Sequence, residues 1–248
     1  MSIAASDSIG GAGIQADNRT ASLLGVYPVN VVTAVTAQNS SGVFLTQKVS
    51  PEMIVRQFEC ICEDFLPDCV KIGLLPSVET VDIIATLLVK YKLKNIVIDP
   101  VLQPTRGEFY SDYGIDSHII NKLSKTAVLI TPNLPEFEVL NRAAGQDIRK
   151  IFHAVLVKGG HSVSDYCVDT LYLEDGGTDK GIQFKEKRID TQNSHGTGCV
   201  LSSAIACNLA MGYDLVTSVK NAKEFLHNHL IRNKELSFGK SNYGPAIY

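Results

Sequence analysis

The sequence predicts an α/β fold on a mostly parallel sheet, and three observations carry that prediction. Residues 29–34, 69–72, 95–98, 127–130 and 154–157 are short, almost continuously apolar runs, as strands covered on both faces are. Longer helical patterns lie between them. The rhythm breaks near the end, where 169–173 and 183–189 read as a hairpin around the turn-rich Glu174-Asp175-Gly176-Gly177.

The elements follow in order. A short apolar strand opens the chain and runs into the glycine-rich stretch Asp7–Asp17, which starts a helix. Ile54, Phe58, Ile61 and Phe65 recur at helical spacing behind Pro51-Glu52. Proline suits a first helical turn, and an acid there favours the positive end of the helix dipole. Val81, Ile84, Leu88 and Tyr91 repeat the pattern. Asn133 and Glu136 have the spacing of a helix-capping pair. Two last helices are expected, about 200–211 and 215–233. Strand, helix, strand repeated in this way implies right-handed crossovers. No linker, composition shift or solenoid repeat interrupts the chain, so residues 1–248 read as a single domain.

Composition narrows the function. With 45% hydrophobic residues a real core can form, so disorder is excluded. Twenty-three basic against 26 acidic side chains leave a net charge of −3, giving no electrostatic case for nucleic acid. No apolar run approaches the roughly 20 residues of a membrane span, and no signal peptide is read at the start. The cysteines at 60, 62, 69, 167, 199 and 207 match neither a disulfide framework nor a zinc site. They read as reduced, mostly buried thiols of a cytoplasmic protein.

In such sheets ligands bind beyond the carboxyl ends of the strands, and there the sequence is rich in Gly, Asp, Asn and Gln. Asn193-Ser194-His195-Gly196-Thr197-Gly198-Cys199 runs straight into a helix. A glycine turn at a helix start presents unpaired N–H groups and partial positive charge, which suits a phosphate. Cys199 in that first turn is expected to have a lowered pKa. A base beside an anion hole is what phosphoryl transfer to an alcohol requires. Asp7-Ser8-Ile9-Gly10-Gly11-Ala12-Gly13 would let a substrate ring or phosphate lie against the backbone. No P-loop pattern occurs anywhere. Asn133 and Glu136 start a helix, and Glu136 could hold Mg²⁺ as well as cap. Asp99 also follows a buried strand and is a second candidate for Mg²⁺. Lys158-Gly159-Gly160-His161 suits a nucleotide or phosphate contact, or an edge lysine reaching for solvent. His227 and His229, two apart on a helix, face different ways.

These segments, with Thr36-Ala37-Gln38-Asn39, Lys71-Ile72-Gly73 and Asp99-Pro100-Val101, occur in an order that resembles the hydroxymethylpyrimidine/phosphomethylpyrimidine kinases of the ribokinase-like superfamily. The resemblance runs from about residue 2 to Tyr243-Gly244-Pro245. It implies a three-layer α/β/α sandwich and transfer of the ATP γ-phosphoryl group to a pyrimidine hydroxymethyl group, then to the monophosphate, for thiamine biosynthesis. It also implies that Cys199 stands where many ribokinase relatives carry an aspartate base, with Gly196, Thr197 and Gly198 as the anion hole. Gln38 would bond the pyrimidine edge, with Gly11, Ala12, Thr36, Leu74 and Val101 nearby. Glu136 and Asp99 would organise Mg²⁺, and Lys158, Thr191 and Asn133 would lie toward ATP. A homodimer and a substrate-covering loop at Gln103-Pro104-Thr105-Arg106-Gly107 are expected. Only the 21 residues 137–157 separate Glu136 from Lys158, where the family usually has an extra helix.

Three rival readings remain. A pyridoxal kinase of the same cysteine-base subgroup also phosphorylates a hydroxymethyl-bearing heteroaromatic ring. A non-catalytic pyrimidine-binding protein could share the scaffold. A cysteine hydrolase would want a positioned histidine base, and His195 shows no orienting acid in the sequence.

Overall fold

The computed structural model describes residues 1–102, 114–160, 164–174, 180–240 and 243–247. The expectations at Gln103–Gly107, His161 and Asp175-Gly176-Gly177 lie outside these residues. One nine-stranded sheet forms the middle layer. It holds β1 (Ser2–Asp7), β2 (Asn30–Asn39), β3 (Gly42–Lys48), β4 (Val70–Ile72), β5 (Ile96–Ile98), β6 (Ala127–Ile130), β7 (Ala154–Val157), β8 (Tyr166–Leu173) and β9 (Ile182–Lys187). Their order across the sheet is β3-β2-β1-β4-β5-β6-β7-β8-β9. The strands from β2 to β7 run parallel, while β3 at one edge and the β8–β9 pair at the other are antiparallel.

The helices cover both faces. α1 (Gly13–Leu23), α6 (Thr197–Ala210) and α7 (Leu215–Asn233) pack on one side, and α2 (Pro51–Asp64), α3 (Val78–Lys90), α4 (Ile115–Leu123) and α5 (Leu134–Ala144) on the other. The apolar runs explain why. Ile96 and Ile98 face the α2–α5 side while Val97 faces the α1–α6 side, and Ile130 and Leu129 divide likewise. A strand apolar on both faces needs a helix on each. Capping fixes several helix starts: Ser50, Ser77 and Asp214 each accept a backbone N–H from the first turn, and Asn133 and Glu136 form a reciprocal capping box.

Two elements depart from the sequence reading. β3 was not expected, because its residues show no clean alternation; among the described residues it pairs only with β2, and Phe44 and Leu45 are exposed. α4 was also not anticipated, although Ile115, Ile119, Ile120 and Leu123 form its buried stripe. The short 137–157 segment closes through a 3₁₀ turn at Ile148–Lys150. There Ile148 and Phe152 are buried, and the Asn141 side chain accepts the Ile148 N–H at 2.8 Å. The thiols are less buried than expected: Cys62, Cys69 and Cys207 are buried, Cys167 and Cys199 half-buried, and Cys60 exposed, all unpaired.

Chain order reverses at β1, which lies between β2 and β4. Such a switch point opens a crevice beyond the carboxyl ends of the strands. The core beneath holds it in place. Phe58 is fully buried, its ring 5.9 Å from that of Tyr91. Phe58→Ala should lower stability by about 3–5 kcal/mol, read as a lower denaturant midpoint with an unchanged slope.

Candidate active site

A cavity of about 1030 Å³ opens along the carboxyl ends of the strands. Ala12, Thr36, Gln38, Leu74, Asp99, Val101, Asn133, Glu136, Lys158, Thr191, Gly196, Thr197, Gly198 and Cys199 all line it. Gly11 alone of the expected residues does not; it packs beneath His195, whose ring would lie 2.0 Å from a Cβ at that position.

One end is built by two glycine loops pressed together. Asp7, at the end of β1, accepts the N–H of Ile9 (2.9 Å), Gly11 (2.9 Å) and Ala12 (2.8 Å). It also lies 3.0 Å from His195 Nε2. Burial works to raise the Asp7 pKa, but the hydrogen bonds from His195 and the backbone hold it below the usual range. His195 therefore does have an orienting acid, contrary to the sequence reading. Gly196 has φ +79°, and a Cβ there would meet the Gly11 carbonyl oxygen at 1.9 Å. Only glycine tolerates both the conformation and the approach. A third strand of backbone joins them: His195 N–H donates to Gly244 O, and Ala246 N–H to His195 O, each at 3.0 Å.

Two helices point their starts at the cavity, and neither has a side-chain cap. α1 begins after Ala12 and α6 after Gly196. The Thr197 N–H turns back to Ser194 O at 3.3 Å. Those of Gly198 and Cys199 make no backbone bond among the described residues. An uncapped helix start presents partial positive charge to whatever occupies the cavity.

Gln38 sits where the β2–β3 register shifts, between Ala37 and Gln38. A bulge re-aims a side chain. The Ser8 hydroxyl fixes the backbone there, accepting from Gln38 N–H and donating to Gln38 O, both at 2.8 Å. The side-chain amide lines the cavity with no hydrogen-bond partner among the described residues. Thr36 is tied instead to the Ser6 carbonyl oxygen at 3.0 Å.

Farther along lies a charged cluster. Lys158, after β7, donates to Asp99 Oδ1 at 2.8 Å and is 4.0 Å from Glu136 Oε2. Glu136 Oε2 also accepts the Asn133 N–H at 2.8 Å. The capping box and the charged cluster thus share one carboxylate. Burial opposes the Asp99 charge, but Lys158 and Lys71 outweigh it and lower the pKa. Glu136 is pushed up to about 7, by burial first and by the Asp99 charge, against the pull of Lys158. Among the described residues no group of three or more His, Cys, Asp and Glu side chains could hold a metal alone. Two hard carboxylates around one ammonium nevertheless form an oxygen donor set that fits a hard cation such as Mg²⁺.

Cys199 corrects an expectation. Burial pushes its thiol up to about 11, and Asp17 and Asp99 add to the rise. Lys71 and the Gly13 N–H favour the thiolate but do not outweigh burial. The helix start alone therefore does not make the sulfur acidic. Sequence reasoning gave no role to Lys71, Asp17 or Ser203, which pack behind this sulfur. The signal was a lysine inside an apolar strand, two residues before a glycine.

A model of the phosphomethylpyrimidine kinase family matches residues 7–246. A hydroxymethylpyrimidine/phosphomethylpyrimidine kinase of Rhizobium meliloti (strain 1021) is 39% identical over 258 aligned positions, covering 99% of this chain and 95% of that protein. The crystal structure of phosphomethylpyrimidine kinase from Clostridium difficile 630 superposes with a TM-score of 0.76 at 35% identity, covering 93% of this chain and 97% of that one. An ADP complex of Bacillus subtilis pyridoxal kinase superposes with a TM-score of 0.83 at 30% identity, covering 98% and 94%.

Glu136→Gln tests the charge balance in the protein without ligands. A folded pKa of about 7 against an ordinary 4.5 means the native state binds the proton more tightly. Stability is then lost as pH rises from 4.5 through 7. Glutamine keeps the cap and never ionises. The variant should melt at the same temperature as the parent near pH 4 and higher at pH 8, by on the order of 1–3 kcal/mol. A pH-independent difference would contradict the buried charge.

Proposed function

The chain belongs to the phosphomethylpyrimidine kinase family, and from that premise we propose how its cavity works. It is an ATP-dependent kinase with the ribokinase-like fold, phosphorylating hydroxymethylpyrimidine and then its monophosphate for thiamine biosynthesis. One observation carries the assignment of the reacting centre: the uncapped start of α6, with Gly198, Cys199 and the Lys158–Asp99 pair beside it.

Cys199 is the base in this reading. As the substrate hydroxymethyl oxygen bonds to the γ-phosphorus, its proton passes to the Cys199 sulfur. The bond from phosphorus to the β–γ bridging oxygen breaks, and ADP leaves with that electron pair. Backbone N–H groups of Gly198 and Cys199 and the Lys158 ammonium take up the charge on the transferring group. Alignment supplies most of the rate, so a base that is only fractionally ionised suffices. Asp99 and Glu136 would hold Mg²⁺, which when bound neutralises phosphate oxygens. Gln38 offers a donor and an acceptor to the pyrimidine edge. Ala12, Thr36, Leu74 and Val101 enclose the ring, Thr191 and Asn133 face the nucleotide, and Gly11 acts through His195.

The chain functions as one kinase domain, assembled as a homodimer in the cytoplasm, where ATP is made and free thiols stay reduced. No helix among the described residues is long and apolar enough to cross a membrane.

A mass-spectrometric assay with Mg-ATP and three acceptors tests the substrate. Mono- and diphosphate from hydroxymethylpyrimidine are expected. Pyridoxal phosphate as dominant product would move the chain to the vitamin B6 reaction of its Bacillus structural relative. Cys199→Ala should lower kcat by about 10²–10⁴-fold with the fold intact; unchanged turnover would remove the sulfur from the chemistry. Gln38→Ala should raise the pyrimidine KM about tenfold and leave the ATP KM within about twofold. Equal effects on both would put the ring elsewhere.

A further inference from the structure

Behind Cys199 lies a buried ion pair that the reaction scheme above does not use. Lys71 on β4 is 2% exposed, and its Nζ donates to both oxygens of Asp17 on α1 at 2.9 Å. Asp17 is 3% exposed and also accepts from the hydroxyls of Ser2 and Ser203, the latter at 2.7 Å. The carboxylate is thus well satisfied. A pair this deep is weak as a source of stability, because removing two charges from water costs about what their attraction returns. Its position suggests another use.

Lys71 borders the main cavity, as Cys199 does. Cys199 and Ser203 are one turn apart on α6, so they share a face. Ser203 reaches Asp17 from that face. Sulfur, serine hydroxyl and ion pair therefore lie along one seam between α1, α6 and β4. Gly73 supplies the room. A Cβ there would stand 2.9 Å from Lys71 Nζ, so the ammonium curls past residue 73 toward the carboxyl end of its strand. The tripeptide Lys71-Ile72-Gly73 is a buried cation together with the space it needs.

We infer that Lys71 is a positioning residue for the phosphoryl transfer, its ammonium, fixed by Asp17, serving as the counter-charge that lets the Cys199 sulfur carry a thiolate. This rests on the reading of Cys199 as base. The charges facing the sulfur are Lys71 from β4, Asp17 from α1, Asp99 after β5 and, farther along the cavity, Lys158 after β7. Both carboxylates oppose the thiolate. Without Lys71 the cation that offsets them is gone. Lys71 keeps its own proton throughout: the thiolate takes the hydroxyl proton, becomes a thiol, and returns the proton to solvent after transfer. The Asp17 charge, which raises the Lys71 pKa against burial, holds that proton in place.

The two halves of the pair give opposite signs, which a merely structural role would not. The rate of alkylation of Cys199 by iodoacetamide, followed against pH by peptide mass spectrometry on the full chain, reads the thiolate directly. Lys71→Met should raise the Cys199 midpoint by about one pH unit or more, a roughly tenfold smaller thiolate fraction. Asp17→Asn should lower it, because the ammonium loses its competing partner. Lys71→Arg should restore most of the midpoint. In turnover, Lys71→Met should lower kcat and leave the pyrimidine KM nearly unchanged. Should Lys71→Met fold poorly, the neutral pair Asp17→Asn with Lys71→Met replaces it and should also raise the midpoint. Midpoints unmoved within about 0.2 unit, or shifted in the same direction by Lys71→Met and Asp17→Asn, overturn the inference. Cys199→Ala turnover tests the base itself, and alkylation tests Lys71 without requiring any turnover.

Discussion

The Asp7 carboxylate is the constraint on which the cavity depends. It is one group at the end of the central strand, yet it gathers three backbone N–H groups of its own loop and the imidazole of a residue 188 positions away. The glycine loop at the start of α1 is thereby folded into the shape that receives the loop before α6. Gly11 and Gly196 then meet backbone to backbone, a contact that any side chain would prevent. The two uncapped helix starts point into the same space because of this join.

Charge is arranged around that space in two groups with different characters. Toward Lys158 the carboxylates outnumber the ammonium, and Glu136 answers by holding a proton more tightly than an ordinary acid. Toward Cys199 the balance is closer, with Lys71 set against Asp17 and Asp99. The first group suits a polyanion accompanied by a cation. The second surrounds a thiol with charges of both signs. Both are assembled from residues just beyond strand ends or behind them, so the sheet itself sets their spacing.

Much of this was legible in the sequence. The parallel strands announced themselves as unbroken apolar runs, and Asn133 with Glu136 announced a helix start by spacing alone. The glycine motif before Cys199 marked the helix whose uncapped start lines the cavity. What escaped had physical causes. β3 is an edge strand with one neighbour, so burial imposes no alternation on it. The pKa of Cys199 was misread because a helix start is a local feature, whereas the burial that the whole fold imposes, with Asp17 and Asp99 from other elements, raises it. Lys71 lay in one of the family motifs without a role, since only the fold reveals that Asp17, itself held by Ser203, pairs with it. His195 likewise gained its acid from the far end of the chain.

The bridge between His195 and residues 244–246 has a consequence for how the molecule comes into being. β1, which precedes the other eight strands in the chain, lies in the interior of the sheet, and its terminal carboxylate bonds a histidine 188 residues later. That histidine is in turn braced by backbone that leaves the ribosome later still, with Arg19 on α1 bonding the Ile247 carbonyl oxygen. Contacts of such long sequence separation form slowly, because a large loop must close before they return any energy. The backbone brace on the two glycine loops comes from residues 244–246, so it is complete only when that segment is in place. Until residues 244–246 are in place, the join between the two glycine loops lacks this brace.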